Sequence, residues 1–185
     1  MRQCGRRPGC LQFRVPARRR SDLSKAFDNV SAAVPAVSAA QPASPSGEFH
    51  FPIRVYYEDT DAGGVVYYAN YLKFFERART EWLRSLGFGQ TALAESTGCI
   101  FIVRGLDMQY RKPARLDDHL VIASRVSRLG KASMDFSQTC LRDGELLASG
   151  QVQVGCVDRH SLRPTAMPAG IAAALARLES PVAPI

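Results

Sequence analysis

The 185-residue sequence lacks the patterns on which several large protein classes depend. No segment approaches the roughly 20 consecutive apolar residues that a membrane-spanning helix needs, so we expect no transmembrane segment. There is no Gly-x-Ser-x-Gly nucleophile motif and no Gly-x-x-x-x-Gly-Lys-Ser/Thr phosphate loop. The sequence therefore gives no support for a serine hydrolase of that type or for a P-loop nucleotide-binding protein.

Cysteine is also scarce, with five residues and no Cys-x-x-Cys or Cys/His spacing suited to zinc. We therefore expect no metal site, and no other cofactor. The odd number of cysteines argues against a disulfide framework and favours a reducing, cytoplasmic compartment. Three cysteines lie in apolar, strand-like segments and are expected to pack as small hydrophobic side chains: Cys99, Cys140 and Cys156.

Acidic residues are rare near the N-terminus. Residues 1–46 carry eight Lys/Arg and two Asp, which accounts for +6 of the formal net charge of +7 and leaves +1 for the rest of the chain. So small a charge does not support a nucleic-acid-binding face. We predict that residues 1–47 form a disordered extension, basic and then Ala/Ser/Pro-rich, for which a targeting or membrane-surface role stays open. Residues 48–179 are predicted to be the folded domain, and 180–185 a tail.

The first half of the folded domain predicts one strand and one long helix. Apolar residues alternate with others over Phe49–Val55, as they do along a strand. They then recur at helical spacing over Tyr71–Leu86, which predicts a helix of about 18 residues. Gly87 is suited to a left-handed cap and should end it. A shorter helix is predicted over Gln90–Ser96.

The second half of the domain predicts strands and one last helix. An Asp-Gly pair at residues 143–144 is a strong hairpin signal between two of the strands. One long helix followed by antiparallel strands predicts an α+β fold in which the helix lies across a single curved sheet. The predicted strands are Phe101–Arg111, His119–Arg128, Ser133–Leu141 and Glu145–Val157, and the last helix is Ala169–Leu178.

The segment Tyr56–Tyr71 places acidic residues, a glycine pair and an aromatic run directly before the long helix. Its acids are Glu58, Asp59 and Asp61, and its glycines are residues 63 and 64. A carboxylate on such a turn lies beside the backbone N–H groups that a helix start leaves free, and beside the positive end of the helix dipole. This combination can attack a carbonyl group and stabilise the resulting oxyanion.

Three separated blocks carry a likeness to a known family: Arg54–Asp61, Phe75–Glu81 and Pro113–Asp118. Together they resemble the hot-dog-fold thioesterases of the 4-hydroxybenzoyl-CoA thioesterase family, most of all the Tol-Pal-associated acyl-CoA thioesterases. The resemblance implies a hot-dog fold, with a curved antiparallel sheet around a long helix, and hydrolysis of an acyl-CoA or acyl carrier protein thioester without a cofactor. It also implies a homodimer or homotetramer, with active sites where two sheets join edge to edge.

The resemblance further implies roles for single residues. Asp61 would be catalytic, as a general base or as a nucleophile, and the backbone N–H of Tyr68 would polarise the thioester carbonyl. Many Tol-Pal-associated members have His at the position of Tyr68, and a backbone donor serves with either side chain. The predicted substrate contacts are Gly64, Val65, Tyr67, Asn70 and Tyr71.

Other interpretations stay open at the level of the sequence. Asp61 could instead cap the following turn, and Asp59 is expected to hold the loop by accepting backbone N–H groups. The phosphates of coenzyme A need a few basic side chains rather than a large positive field. The candidates are Arg77, Arg79, Arg104, Arg111, Lys112, Arg115, Arg128 and Lys131.

Two other classes of function are consistent with a hot-dog fold. A dehydratase of this fold usually depends on a histidine near the long helix, and no histidine lies between Phe51 and Asp118, so the sequence disfavours it. A non-catalytic acyl-binding or envelope-associated scaffold stays open as the alternative, although the complete acidic motif favours an enzyme.

Overall fold

The computed structural model describes residues 47–178, which contain five strands and three α-helices. The strands are β1 (Phe49–Arg54), β2 (Cys99–Tyr110), β3 (His119–Leu129), β4 (Ser133–Arg142) and β5 (Glu145–Asp158). The helices are α1 (Asn70–Ser85), α2 (Gln90–Thr97) and α3 (Ala169–Ala176). All strand pairs are antiparallel, in the order β1-β3-β4-β5-β2. The predicted α+β fold is confirmed.

The boundaries of the elements differ from the predicted ones by a few residues. Helix α1 has 16 residues, fewer than the predicted length of about 18, and Leu86 lies beyond its end. Gly87 follows with φ of +90°, as a chain reversal after a helix requires. The β4–β5 hairpin closes through Asp143 and Gly144, which both have positive φ and so match the predicted Asp-Gly turn.

Helix α1 packs its apolar face against the sheet. Phe74, Phe75 and Ala78 are fully buried, as expected for residues at positions i, i+1 and i+4 of an amphipathic helix. The helix comes close to β5 at Gly150, where an added Cβ would lie 2.9 Å from Cε2 of Phe75. Glycine at this position therefore lets the aromatic ring rest directly on the strand, and the helix is held near the sheet.

The second half of α1 is anchored by Trp82, which is 1% exposed. Its ring lies parallel to that of Phe49 and edge-on to that of Phe136, with centroid separations of 5.9 Å in both pairs. Phe49 lies on β1 and Phe136 on β4, which are separated by β3 in the sheet, so one side chain joins β1, α1 and β4. Within residues 47–178 the indole N–H has no hydrogen-bond partner, which makes this contact purely a packing contact.

A buried polar network also joins α1 to the sheet. Gln138 on β4 is fully buried, and its amide donates to the carbonyl of Phe75 and to the hydroxyl of Ser124. Its side-chain oxygen accepts a 2.7 Å hydrogen bond from the guanidinium of Arg79. Desolvation by burial lowers the pKa of Arg79. This arginine therefore has a structural partner, although the sequence placed it among the candidates for phosphate binding.

Strand β2 forms one edge of the sheet and pairs only with β5 among the described residues. It is 12 residues long, and the pairing shifts between Val103 and Gly105, where the strand has a bulge or irregularity. Several large apolar side chains on it are exposed to solvent: Ile102, Val103, Leu106 and Tyr110. An unpaired, apolar edge of this length is available for pairing with another strand.

Several sequence predictions concern residues that the structure does not describe. Residues 1–46 of the predicted extension, with Cys4 and Cys10, and the predicted tail 180–185 lie outside the described residues. Among residues 47–178, no helix is both long and apolar enough to span a membrane. The thiols of Cys99, Cys140 and Cys156 are free and buried, as predicted.

Candidate active site

The loop between β1 and α1 has a tight, hydrogen-bonded geometry. A single 3₁₀ turn spans Tyr57–Asp59, and Thr60 then pairs with Val66 as an isolated antiparallel bridge. Inside this bridge the N–H of Asp61 donates to the carbonyl of Val65 at 2.9 Å. Gly64 has φ of +70°, a conformation that glycine adopts without steric cost. The loop therefore holds Asp61 at the tip of a small hairpin.

Asp61 lies exposed at this tip, and one of its carboxylate oxygens is used within the loop. Oδ1 accepts a 2.8 Å hydrogen bond from the N–H of Gly63, the Asx-turn geometry that Asp commonly adopts. No hydrogen bond to Oδ2 is formed by any residue between 47 and 178. The capping role considered for Asp61 is therefore present, and the second oxygen stays available for chemistry.

Asp59 serves as the anchor of the loop. The residue is only 4% exposed, and its carboxylate accepts the N–H of Tyr56 at 2.9 Å. Its carbonyl oxygen accepts the N–H of Tyr67 and the side-chain amide of Asn70, both at 2.9 Å. The predicted structural role of Asp59 is confirmed. Asn70, a predicted substrate contact, is 5% exposed, and its side-chain amide is used in this bond to the loop.

The N-terminus of α1 follows the loop directly. Among the described residues, the N–H of Tyr68 has no hydrogen-bond acceptor, whereas that of Asn70 donates to the carbonyl of Tyr67 at 2.8 Å. Ala69 has helical backbone angles and precedes the first residue of the helix. A free N–H at this position carries the partial positive charge of a helix N-terminus. It can therefore donate to an oxygen that becomes negative during a reaction.

Two neighbouring tyrosines lie exposed between the loop and the helix. The rings of Tyr67 and Tyr68 are 4.6 Å apart. The pKa of the Tyr67 phenol is raised by hydrogen bonding and charge from Tyr68, and to a smaller extent by the negative charge of Asp61.

A pocket of about 240 Å³ opens beside the start of α1. Its walls include Tyr68, Tyr71 and Tyr110, and the basic residues Arg111 and Lys112 line it as well. Tyr71 is buried, and its hydroxyl accepts the N–H of Ala114 at 3.0 Å, so it forms a fixed wall. The other predicted site residues do not line this pocket: Asp61, Gly64, Val65, Tyr67 and Asn70.

The basic residues considered for phosphate binding differ in whether they form an ion pair and in whether they lie at the pocket. Arg128 pairs with Asp135 at 2.7 Å, and Lys112 pairs with Glu145. The side chain of Arg111 forms no ion pair within the described part of the chain, and it lies beside the pocket. Of the eight basic candidates, only Arg111 and Lys112 therefore lie at this pocket.

Two features of the site were not predicted as such. Tyr110, at the end of β2, contacts Tyr68. The N–H of Val66 donates a 2.8 Å hydrogen bond to the carbonyl of Ala114. The backbone of Val55 exchanges hydrogen bonds with Asp117 and Asp118. The first and third blocks of the family resemblance therefore meet in space. The presence of both blocks in the sequence was the one sign of this contact.

Metal and thiol chemistry find no support in the described residues. Between residues 47 and 178 no group of three or more His, Cys, Asp or Glu side chains could hold a metal ion. Burial raises the pKa of the Cys140 thiol to about 12 and, together with Cys99, raises that of Cys156 to about 11. These thiols are protonated at neutral pH and are poor nucleophiles.

Comparisons with known proteins agree on one family. The thioesterase-like superfamily matches residues 55–175. The acyl-CoA thioesterase YbgC of Haemophilus influenzae is 47% identical over 131 residues, 71% of this chain and 96% of the relative. A similar protein, the acyl-CoA thioester hydrolase YbgC of Escherichia coli O157:H7, is 47% identical over 68% of this chain and 93% of the relative. The crystal structure of a probable thioesterase from Bartonella henselae has a TM-score of 0.62 at 38% identity, and the match covers 64% of this chain and 98% of that one.

Proposed function

Since the chain belongs to the thioesterase-like superfamily, we propose that it hydrolyses an acyl-CoA thioester to a free acid and coenzyme A. The family membership confirms the resemblance found in the sequence, and the long helix against one antiparallel sheet is the predicted hot-dog fold. The observation that carries the proposal is the juxtaposition along the chain of an exposed carboxylate at Asp61 with a free N–H at Tyr68.

Asp61 supplies the oxygen that starts the reaction. As a general base it removes a proton from a water molecule, whose oxygen attacks the thioester carbonyl, and the tetrahedral intermediate then expels the coenzyme A thiolate to leave the free acid. As a nucleophile it attacks the carbonyl itself, expels the coenzyme A thiolate and forms a mixed anhydride that water then cleaves. Both routes release the same acid and thiol. Trapping an acylated enzyme by rapid acid quench would identify the nucleophilic route.

The N-terminus of α1 stabilises the charge that forms on the thioester oxygen. In either route this oxygen becomes an oxyanion as the carbonyl carbon turns tetrahedral. The free N–H of Tyr68 donates to it, and the helix dipole adds a favourable field. A single preorganised donor of this kind typically accounts for about 10²–10³-fold in rate. Because the donor belongs to the backbone, the tyrosine side chain is not required for this step.

The leaving group is recognised outside the catalytic loop. Coenzyme A carries phosphates, and Arg111 and Lys112 place positive charge beside the tyrosine-lined pocket. The same chemistry would accept the phosphopantetheine arm of an acyl carrier protein, which we retain as a second thiol donor. Gly64, Val65 and Tyr67 lie at or next to the loop tip, so they remain our proposed contacts for the acyl group.

We also propose that the active unit is a homodimer formed through the exposed edge of β2, with a homotetramer as a higher assembly. Val103 and Leu106 line an apolar groove of about 210 Å³ between this strand and α1. A second copy would cover both the groove and the unpaired strand edge. The three free thiols of the described chain are consistent with a reducing, cytoplasmic setting.

Replacing Leu106 with Arg tests this assembly. A charge in the middle of the apolar edge should prevent two copies from pairing, because it would be desolvated without a partner. We expect a monomer by light scattering at micromolar concentration and a loss of hydrolysis of about 10-fold or more. Leu162→Arg is a matched control, because Leu162 is also exposed and lies outside β2. A wild-type monomer, or a dimeric Leu106→Arg variant, would contradict the assembly.

The activity itself is tested by thiol release from a panel of acyl-CoA and aroyl-CoA esters of increasing length. We expect hydrolysis of at least one ester class, and the order of rates would define the acyl preference. An acyl carrier protein thioester in the same panel would show whether the thiol must be coenzyme A. Binding of acyl chains without hydrolysis of any ester would overturn the proposal in favour of a non-catalytic scaffold.

A further inference from the structure

Tyr110 makes a contact that joins the edge of the sheet to the start of the long helix. It is the last residue of β2, and its hydroxyl donates a 3.0 Å hydrogen bond to the backbone carbonyl of Tyr68. Its ring also contacts those of Tyr68 and Tyr71, with centroid separations of 6.4 and 5.6 Å. The two bonded residues are 42 positions apart in the chain, so this contact exists only in the folded protein.

The carbonyl of Tyr68 depends on this hydroxyl for its hydrogen bond. In a regular helix it would accept the N–H of Leu72, four residues further on. The N–H of Leu72 donates instead to the carbonyl of Ala69, at 3.1 Å. The peptide group between Tyr68 and Ala69 therefore lies outside the regular helical ladder. Within the described residues, the Tyr110 hydroxyl is its hydrogen-bond partner.

From this arrangement we propose that Tyr110 is a positioning residue for the thioester hydrolysis. Its hydroxyl holds the carbonyl of Tyr68 and thereby restrains the φ and ψ angles that relate this carbonyl to the free N–H of the same residue. The inference rests on the proposed function, because the N–H matters only if it receives the thioester oxygen. Tyr110 itself is not required to touch the reacting atoms.

Because of where Tyr110 lies, its proposed effect on catalysis can be distinguished from an effect on folding stability. The side chain is 47% exposed, so it buries little apolar area, and loss of its hydroxyl should change folding stability only slightly. Desolvation and the nearby Tyr68 raise the pKa of the Tyr110 phenol, so the hydroxyl stays a donor at neutral pH. Geometry, by contrast, is decisive for an oxyanion donor, because small displacements of catalytic groups cost large factors in rate.

The test compares Tyr110→Phe with Tyr56→Phe. Tyr56 is also exposed, and it takes no part in the contact between Tyr110 and Tyr68. We expect Tyr110→Phe to lower kcat by about tenfold with KM changed by less than about twofold, and Tyr56→Phe to leave both unchanged. Because phenylalanine keeps the ring that Tyr110 contributes to the pocket wall, the affinity for a non-hydrolysable thioether analogue of the best acyl-CoA should be the same in all three proteins.

Two further measurements distinguish positioning from a loss of structure. Replacement of Tyr110 by 4-aminophenylalanine, which keeps a donor on the ring, should restore most of the lost kcat. In amide NMR spectra, Tyr110→Phe should shift the Ala69 N–H resonance, because that N–H shares a peptide group with the Tyr68 carbonyl. Wild-type kcat in Tyr110→Phe, or a loss that the amino analogue does not restore, would overturn the inference.

The outcomes also separate this inference from the function on which it rests. An unchanged Tyr110→Phe variant, beside a wild type that hydrolyses esters and an Asp61→Asn variant that does not, would overturn only the positioning role. A wild type that hydrolyses no ester of the panel would overturn both. A tenfold loss of kcat with unchanged analogue affinity and restored activity in the amino analogue would support both.

Discussion

Replacing Asp61 with Asn is expected to lower kcat for acyl-CoA hydrolysis by about 10²–10⁴-fold, the range typical of a lost catalytic base. Asn has nearly the same shape as Asp, and its side-chain oxygen can still accept the N–H of Gly63, as Oδ1 does at 2.8 Å. The loop should therefore keep its conformation, and KM should change little. The substitution removes only the charge and the ability to take up a proton or to attack the carbonyl.

The comparison of Asp61→Asn with Asp61→Ala separates chemistry from structure. Asp61→Ala should lose the same activity and should also loosen the turn, which backbone amide exchange at Gly63 would detect. Glu58→Gln is the matched control, because this nearby carboxylate is exposed and has no assigned role. If Asp61→Asn kept the wild-type kcat while its turn stayed intact, Asp61 would be only a capping residue.

Replacing Trp82 with Ala should have the largest effect on stability, a loss of about 3–5 kcal/mol in the free energy of unfolding. The side chain is 1% exposed and contacts the rings of Phe49 and Phe136. Its removal would leave a cavity where β1, α1 and β4 meet. Chemical denaturation, followed by circular dichroism, measures this change directly.

Trp82→Phe is the informative partner of this variant. The indole N–H is buried without a hydrogen-bond partner within residues 47–178, so its loss removes an unfavourable group as well as apolar volume. We therefore expect a loss of only about 1 kcal/mol. Tyr57→Ala, which removes an exposed ring, should change stability by less than about 0.5 kcal/mol. A Trp82→Ala variant as stable as the wild type would contradict this account of the core.

Local patterns were sufficient to predict most of the fold. Apolar residues alternate along a strand, or recur at helical spacing, because one face of the element is buried. These patterns identified β1, α1 and the strands after residue 100 within a few positions. The Asp-Gly turn needs positive φ at two adjacent positions, and few other pairs tolerate it. The end of α1 was less predictable, because Leu86 stays in the apolar pattern after the helix has ended.

The active site was predictable only in part, because its contacts are between residues distant in the chain. The acidic motif located the loop, and the family resemblance indicated the N–H of Tyr68 as a candidate donor. The hydrogen bond from Tyr110 to Tyr68 joins two elements that no local pattern connects. Asn70 shows a related limit, since a polar residue at a helix start can face either substrate or the protein, and here its amide contacts Asp59.

Asp61 illustrates a different limit. Capping of a turn and attack on a carbonyl both require an exposed carboxylate beside backbone N–H groups. An aspartate before a glycine pair therefore predicts both roles. The structure shows that they are compatible, because one oxygen bonds Gly63 while the other has no partner among the described residues. The substitution Asp61→Asn, which keeps the capping oxygen and removes the charge, tests the chemical role separately.

The apolar edge of β2 also has a consequence for a single chain that has not formed the proposed dimer. A folded single chain presents its unpaired N–H and C=O groups, with Val103 and Leu106 beside them, to any other extended polypeptide. Arg104, Asp107 and the bulge after Val103 oppose such contacts through charge and irregular geometry. Aggregation should therefore compete with formation of the proposed dimer chiefly during refolding or biosynthesis, and it should subside if the proposed interface covers each edge.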